Sequence, residues 1–548
     1  MQTLRLTLFF VFLGVAGLAL LGYQFIVSRN GALLAGEGGT YIEGVVGAPK
    51  HINPLLCPLN EAERDVCALV FRGLTKLNEA GEVVPDLAEG WIISADGISY
   101  TFKLRPNERW QDGAPVTVED VLFTVELLRN PAFPGRQDHS ELWQRVEAVK
   151  LDERTVQFRL PQPYAPFLDY TTIGLLPAHI LSSTLSAALE DAPFNRQLVG
   201  NGPWRVTDLS IVGGRIASIA LEPSPRYSGP SPKISRLVLR YYPSWQSLVS
   251  AFENGDVDGM ASFAAPEPGA EEVPTSANVY SMLGARFVAL MFNLRKDSGA
   301  FPLTELPVRR ALMLALDREA IIRDVLRGRA VLANTPFIPG TWAYHPGLPS
   351  YRRDLEQAKR LLREAGYEVA AVAPTNVEVW QKDGEPIAFT LLTPEGAIPL
   401  RVAEAVAEQW RELGVQVTVI PVRNMVTNFL ATHQFQVALV EILLDGDPDP
   451  FPLWHRSQAI NGQNYAGWDD PEVSSWLEQA RQTTDRAKRV ELYRRFQEAF
   501  AEALPAIMLY YPVYDYIISS RVRNVQVAPV IHPSDRFRTL HEWSLSAR

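Results

Sequence analysis

Residues 441–454 read EILLDGDPDPFPLW, and this stretch constrains the fold more than any other. Asp445, Asp447 and Asp449 alternate with Gly446, Pro448 and Pro450. Proline lacks an amide hydrogen and fixes its own φ, so the run fits neither a helix interior nor a central strand. Just before it, residues 435–444 (FQVALVEILL) are β-branched and apolar over the length of a strand, which predicts a buried strand. The acids therefore belong to a stiff loop at a strand end, where α/β proteins commonly carry ligand sites. Phe451, Trp454, Tyr465 and Trp468 follow, and acids beside aromatic walls suit the binding of a cation better than catalysis. The competing reading of the loop alone is a solvated acidic turn stiffened by proline.

The rest of the second half has α/β grammar. A helical pattern over 400–413 stops at Gly414, and an alternating strand, 415–419, begins at once. Pro307 opens a helix expected over 306–326, and Asp354 caps one over 355–365 that Gly366 closes. A last long helix, 487–503, stops before Pro505, and 506–519 returns as strand. The first half is richer in β signals. A first strand is expected over 41–46, and a helix over 61–74 with Val66, Leu69 and Val70 as its stripe. After the Asp96-Gly97 turn, Ile98, Tyr100, Phe102 and Leu104 alternate with polar residues. Thr117, with Asp120 three residues on, opens a helix. Residues 149–160 read as a hairpin turned at Asp152-Glu153.

The 548 residues predict three or four domain-sized units, and 47% apolar with 21% charged residues is ordinary for a globular chain. A net charge of −10 argues against a nucleic-acid partner, which would need a basic face. Residues 6–27 carry no charge and are long enough to span a bilayer. A cleaved signal has a shorter apolar core and a small-residue cleavage site; no Ala-x-Ala closes this run and no cysteine follows it closely. We expect an uncleaved anchor over 1–28, a glycine-rich linker over 29–39, and the folded part outside the cytoplasm. In an exported chain the two cysteines, Cys57 and Cys67, are expected to pair; two separately packed thiols are the alternative.

No catalytic constellation is visible: the chain has no G-x-S-x-G, H-E-x-x-H, P-loop or G-x-G-x-x-G. Glu441 and Asp445 as a glycosidase pair is a weak reading, because paired acids are common without chemistry. Asp445, Asp447 and Asp449 occupy positions 1, 3 and 5 of a calcium loop, but Pro450 stands where glycine is needed and Arg456 where glutamate is needed. The eight histidines include no close helical pair for a preformed metal site. No cofactor and no enzymatic activity are expected.

Several blocks in order resemble the family 5 solute-binding proteins of ABC importers, the dipeptide, oligopeptide and nickel class. They are 70–77 (VFRGLTKL), 84–91 (VPDLAEGW), 100–105 (YTFKLR) with 110–117 (WQDGAPVT), 199–204 (VGNGPW), 308–311 (VRRA) with 315–318 (ALDR), and 358–367 (AKRLLREAGY). The resemblance runs from about residue 52 to about 527. It implies an α/β, two-lobed, type II periplasmic-binding-protein-like clam-shell, with an extra mostly β subdomain at about 82–199. The first lobe is expected at 40–284 plus 512–548 and the second at 285–511. The implied function is capture of a di- or oligopeptide between the lobes and delivery to a membrane permease with its ATPase, by a monomer. An oligosaccharide or metal chelate as ligand, or an anchored sensor, are the alternatives. In peptide-binding members an Asp before the "DP" pairs the peptide's amino group, and Asp445 matches best, with Asp447 and Asp449 beside it. Arg423 is the candidate for a peptide carboxylate by location, and Asn53, Asn464, Tyr465 and Trp468 complete the candidate set. Glu441-Ile442 stands where the family often has Gly-Trp, leaving Trp380, Trp454 or Trp468 to supply an aromatic wall.

Overall fold

A computed structural model describes residues 38–78, 80–262, 277–299, 301–372, 377–444, 446–528 and 530–546. The apolar run 6–27 and Asp445 lie outside the described residues. Among the described residues, no helix is long and apolar enough to cross a membrane.

A twelve-stranded mixed sheet organises the chain. Its order begins Gln416–Val422, Ala388–Pro394, Val437–Leu443, Arg286–Phe292, Ala506–Ser519. It continues Gly259–Ser262, Thr40–Val46, Arg236–Tyr242, Arg215–Pro223, Trp204–Val212. The fourteen-residue strand Ala506–Ser519 belongs to both halves. Residues 506–510 pair with Arg286–Phe292 and 510–512 with Ala330–Leu332; 513–519 then pair with Ala277–Leu283. The changeover falls at Pro512 and Val513, opposite the Gly284-Ala285 link between the two neighbouring strands.

The second lobe's sheet is covered on both faces, which explains its continuous apolar strands. Along Arg286–Phe292, residues Val288, Leu290 and Phe292 join one core with Trp410 of helix Ala397–Leu413. Phe287, Ala289 and Met291 join the opposite core with Trp454, Trp468 and Phe496. Gly414 ends helix Ala397–Leu413 at φ +96°, a conformation that glycine adopts without Cβ strain. The helix expected over 306–326 is broken: Leu306–Leu314 stops, and Asp317 caps a new turn by accepting the Ala320 amide at 2.8 Å.

In the first lobe a separate antiparallel sheet has the order Ala88–Ile93, Ser99–Leu104, Thr155–Arg159, Glu147–Lys150. Helices Val118–Arg129 and Gln137–Gln144 pack with it, so this unit is α+β rather than mostly β. The first of these is the helix that Thr117 and Asp120 open; the second is not legible in the sequence pattern because its first turn, beginning at Gln137, is polar.

Candidate ligand cleft

The 441–454 stretch ends strand Val437–Leu443 and enters a proline-stiffened turn before the short helix Phe451–Trp454. Two adjoining chambers lie between this turn and the first lobe, of about 330 and about 890 Å³. First-lobe segments 54–77 and 136–174 line one side, with His532 and its neighbours; segments 443–453 and 458–481 line the other. Leu443, Leu444, Tyr164, Tyr170 and Arg481 border both chambers.

The lobes touch at the rim. The Ala165 amide donates to the Arg481 carbonyl at 2.6 Å, and Arg486 pairs with Glu82 at 2.6 Å. Arg286 bridges Glu441 at 2.7 Å and Glu61 at 3.4 Å. A Cβ on Gly446 would meet the carboxylate end of Asp169 across the cleft, so the loop and the first lobe approach closely there and a larger residue would require the Asp169 side chain to turn aside.

Asp447 and Asp449 both border the smaller chamber, and each is held by an arginine of its own lobe. Arg489 grips Asp447 in bidentate fashion, Nη1–Oδ2 at 2.7 Å and Nη2–Oδ1 at 2.5 Å. The two side chains are 8% and 11% exposed. Burial pushes the Asp447 carboxyl up, and the Arg489 charge opposes that shift. Arg489 also donates to the Tyr493 hydroxyl at 2.8 Å and sits 4.9 Å from the Trp342 ring centre. Oδ2 of Asp449 accepts from Arg481 Nε at 2.6 Å, and its Oδ1 accepts the Phe451 amide at 3.1 Å. Burial works against the Arg481 charge, but Asp449 outweighs it and the guanidinium pKa is raised. Arg481 lies 3.8 Å over Phe451 and 5.3 Å from the ring centre of Tyr164 in the opposite lobe.

Tyr465 borders the larger chamber, and burial raises its hydroxyl pKa. The other candidates lie away from the chamber walls. Asn53 is fully buried, donating to Asn195 at 3.1 Å and accepting the Leu55 amide at 3.1 Å. Asn464 is fully buried and ties its own turn to the carbonyls of His455 and Trp468. Trp454 and Trp468 pack edge to face with each other and with Phe500 in the core, and Trp380 donates to the Leu413 carbonyl at 2.7 Å. None of the three tryptophans is among the residues that line the chambers; Phe71, Tyr164, Tyr170 and Tyr465 supply the aromatic surface. Arg423 is 81% exposed and pairs with Glu395 at 2.7 Å. Cys57 and Cys67 form a disulfide that lines the smaller chamber. The sequence reading missed Arg64, Arg136, His139, Asp169, Arg481 and His532, which the fold gathers at the cleft. Only their chemistry was visible in the chain, and it did not set them apart from other polar residues.

A two-lobed chain with a cleft between its lobes and neighbouring links at 284–285 and 512–513 has the architecture of a periplasmic-type binding protein. The sequence profile of the bacterial extracellular solute-binding proteins, family 5 (middle region), matches residues 82–463, and the chain belongs to that family. It is 26% identical to the oligopeptide-binding protein AppA of Bacillus subtilis (strain 168), over 93% of this chain and 92% of that protein. It is also 26% identical to the dipeptide-binding protein of Escherichia coli (strain K12), over 94% and 97%. The structure of AppA in complex with a nonapeptide superposes with a TM-score of 0.72 at 25% identity, covering 94% of this chain and 100% of that one. NikZ from Campylobacter jejuni in complex with Ni(L-His) superposes with a TM-score of 0.73 at 26% identity, covering 92% and 99%.

Proposed function

We propose that this chain is the solute-binding component of an ABC importer and that its ligand is a peptide. The observation that carries the reading is the chambered cleft between the lobes, walled by a rigid acidic loop in a chain of this family. The peptide-binding relatives support the choice of peptide over sugar or chelate. The lobes divide at about 40–284 plus 512–548 and 285–511, and residues 6–27 tether them outside the cytoplasmic membrane. A permease and ATPase receive the ligand.

Asp445 pairs the ligand's ammonium in this reading. Its neighbours Leu444 and Gly446 line the smaller chamber, while Asp447 and Asp449 are already engaged. Truncating one partner of such a pair costs on the order of 2–5 kcal/mol, mostly by stranding the other charge. Mass spectrometry of ligand released from purified, denatured protein is expected to find peptides. Calorimetry with the released ligand is expected to show Asp445→Asn weakened by about 30-fold or more. Recovery of a sugar or a metal chelate would overturn the peptide reading, and unchanged affinity in Asp445→Asn would overturn the amine contact.

A further inference from the structure

We propose that Glu43 keeps its proton in the folded chain at neutral pH, and that this proton is a pH-sensitive latch seating the segment 531–537, part of the cleft wall, in the first lobe. The proton follows from a count of hydrogens. Glu43 is fully buried on strand Thr40–Val46. Its Oε2 lies 2.6 Å from the Tyr41 hydroxyl and 3.0 Å from the Tyr516 hydroxyl, and the two hydroxyls lie 2.8 Å from each other. Three oxygens in mutual hydrogen-bond contact need three hydrogens, and each tyrosine brings one. An ionised Glu43 brings none, so one contact of the triangle would set lone pairs face to face. With a proton on Oε2 the ring closes, each oxygen donating once and accepting once. The other oxygen, Oε1, is already taken, accepting from Arg536 Nε at 2.8 Å. Gly259 packs against the triangle so closely that a Cβ there would overlap both the Tyr41 hydroxyl and Oε2.

Charge gives the same answer. Arg536 is shared with Asp65, donating from Nη1 at 2.8 Å and from Nη2 at 2.6 Å. With both carboxyls ionised the buried cluster holds two negative charges against one positive; with Glu43 neutral it balances. Burial pushes the Glu43 carboxyl up, and Arg536 only partly offsets that. Tyr241 and Tyr514 also face Asp65 and Arg536, and burial raises both hydroxyls, so they add no charge at neutral pH.

The cluster joins strand Thr40–Val46 to helix Glu61–Val70 through Asp65 and to the turn Pro533–Phe537 through Arg536. Arg536 Nη1 also donates to the Pro533 carbonyl at 2.8 Å, between His532 and Ser534, which border the smaller chamber. Loss of the proton leaves an unmatched negative charge inside, and the ties through Arg536 are where the cluster opens to water. The unfolded chain gives up the Glu43 proton above about pH 4–5 while the folded chain holds it. Folding therefore weakens as pH rises, by about tenfold in the folding constant for each pH unit, until the folded carboxyl also ionises.

Infrared spectroscopy at neutral pH tests the proton. Wild type is expected to show the C=O stretch of a protonated glutamic acid, moved by isotopic labelling of the glutamate carboxyl carbons, with a component that Glu43→Gln lacks. Urea unfolding from about pH 5 to about pH 8 tests the latch: relative to Glu43→Gln, wild type is expected to lose about tenfold in folding constant per pH unit. Hydrogen exchange in 531–537, corrected for its intrinsic rate, should rise with pH more steeply in wild type than in Glu43→Gln. Where Glu43→Gln fails to fold, Tyr516→Phe is expected to shift the wild-type band, because it removes one donor from that carboxyl. No protonated-glutamate band in wild type overturns the assignment, as does a spectrum unchanged in Glu43→Gln or in Tyr516→Phe. Equal pH slopes in wild type and Glu43→Gln, in unfolding or in exchange of 531–537, overturn the latch.

Discussion

Replacing Asp447 by asparagine separates a structural role from a ligand-binding one. The carboxylate meets Arg489 through two bonds of 2.5 and 2.7 Å, and both side chains are almost wholly buried. Removing one charge strands the guanidinium in a poorly solvated place, which costs about 3–5 kcal/mol for a buried pair. Asparagine keeps the shape and one acceptor, and Arg489 retains the Tyr493 hydroxyl and the face of Trp342, so the lower end applies. About 3 kcal/mol lowers the melting temperature by roughly 6–12 °C in a lobe of this size. The assay is thermal and urea unfolding of ligand-free wild type, Asp447→Asn, Arg489→Met and the double variant. The double variant should be less damaged than the sum of the singles, because it removes both members of the pair. Stability of Asp447→Asn within about 0.5 kcal/mol of wild type would refute the reasoning, since that is the range of an uninvolved surface change.

Three further outcomes are expected. Gly446→Ala should leave the protein folded and weaken ligand binding by less than about tenfold, because the new methyl meets only the carboxylate end of Asp169, which can turn aside; a larger loss by calorimetry would mean that Asp169 is held rigidly at the cleft. Converting Cys57 and Cys67 together to alanine should cost about 2–3 kcal/mol in urea unfolding, the value for a short bridged loop; no loss would show that the bridge adds nothing to stability. Intact-mass analysis of protein extracted from membranes should find residues 6–27 still attached, given the length of the apolar run; a mature chain beginning near residue 30 would exclude the tether.

What the sequence made legible was local. Gly414 after 397–413, Asp354 before 355–364, and the alternation in 99–104 each act through neighbours a few residues away, and so appear in the chain as written. The acidic loop was legible for the same reason. Its chemistry was not, because Asp449 meets Arg481 over 32 residues and Asp447 meets Arg489 over 42. Aromatic residues near the loop looked equivalent in sequence, yet the short helix Phe451–Trp454 and the turns after it send Trp454 and Trp468 into the core and leave Tyr465 at the cleft. Arg64 and His532 meet over 468 residues, a pairing that depends on the whole first lobe being assembled.

The strand shared by both halves of the sheet has a consequence for how the chain is made. Residues 286–510 are contiguous, and their cores draw on the chain in the order of its synthesis. The first lobe cannot follow that order. Its core needs Tyr514, Tyr516, Phe537 and Trp543. Its buried ion network ties Arg536 to Glu43 at 2.8 Å and to Asp65 at 2.6 Å. The lobe that emerges first is therefore completed last, when residues 514–543 arrive. Contacts of such sequence separation close slowly, because the intervening chain must be ordered before they form. The second lobe can therefore be complete while the first is still open, and the order of assembly runs against the order of the chain.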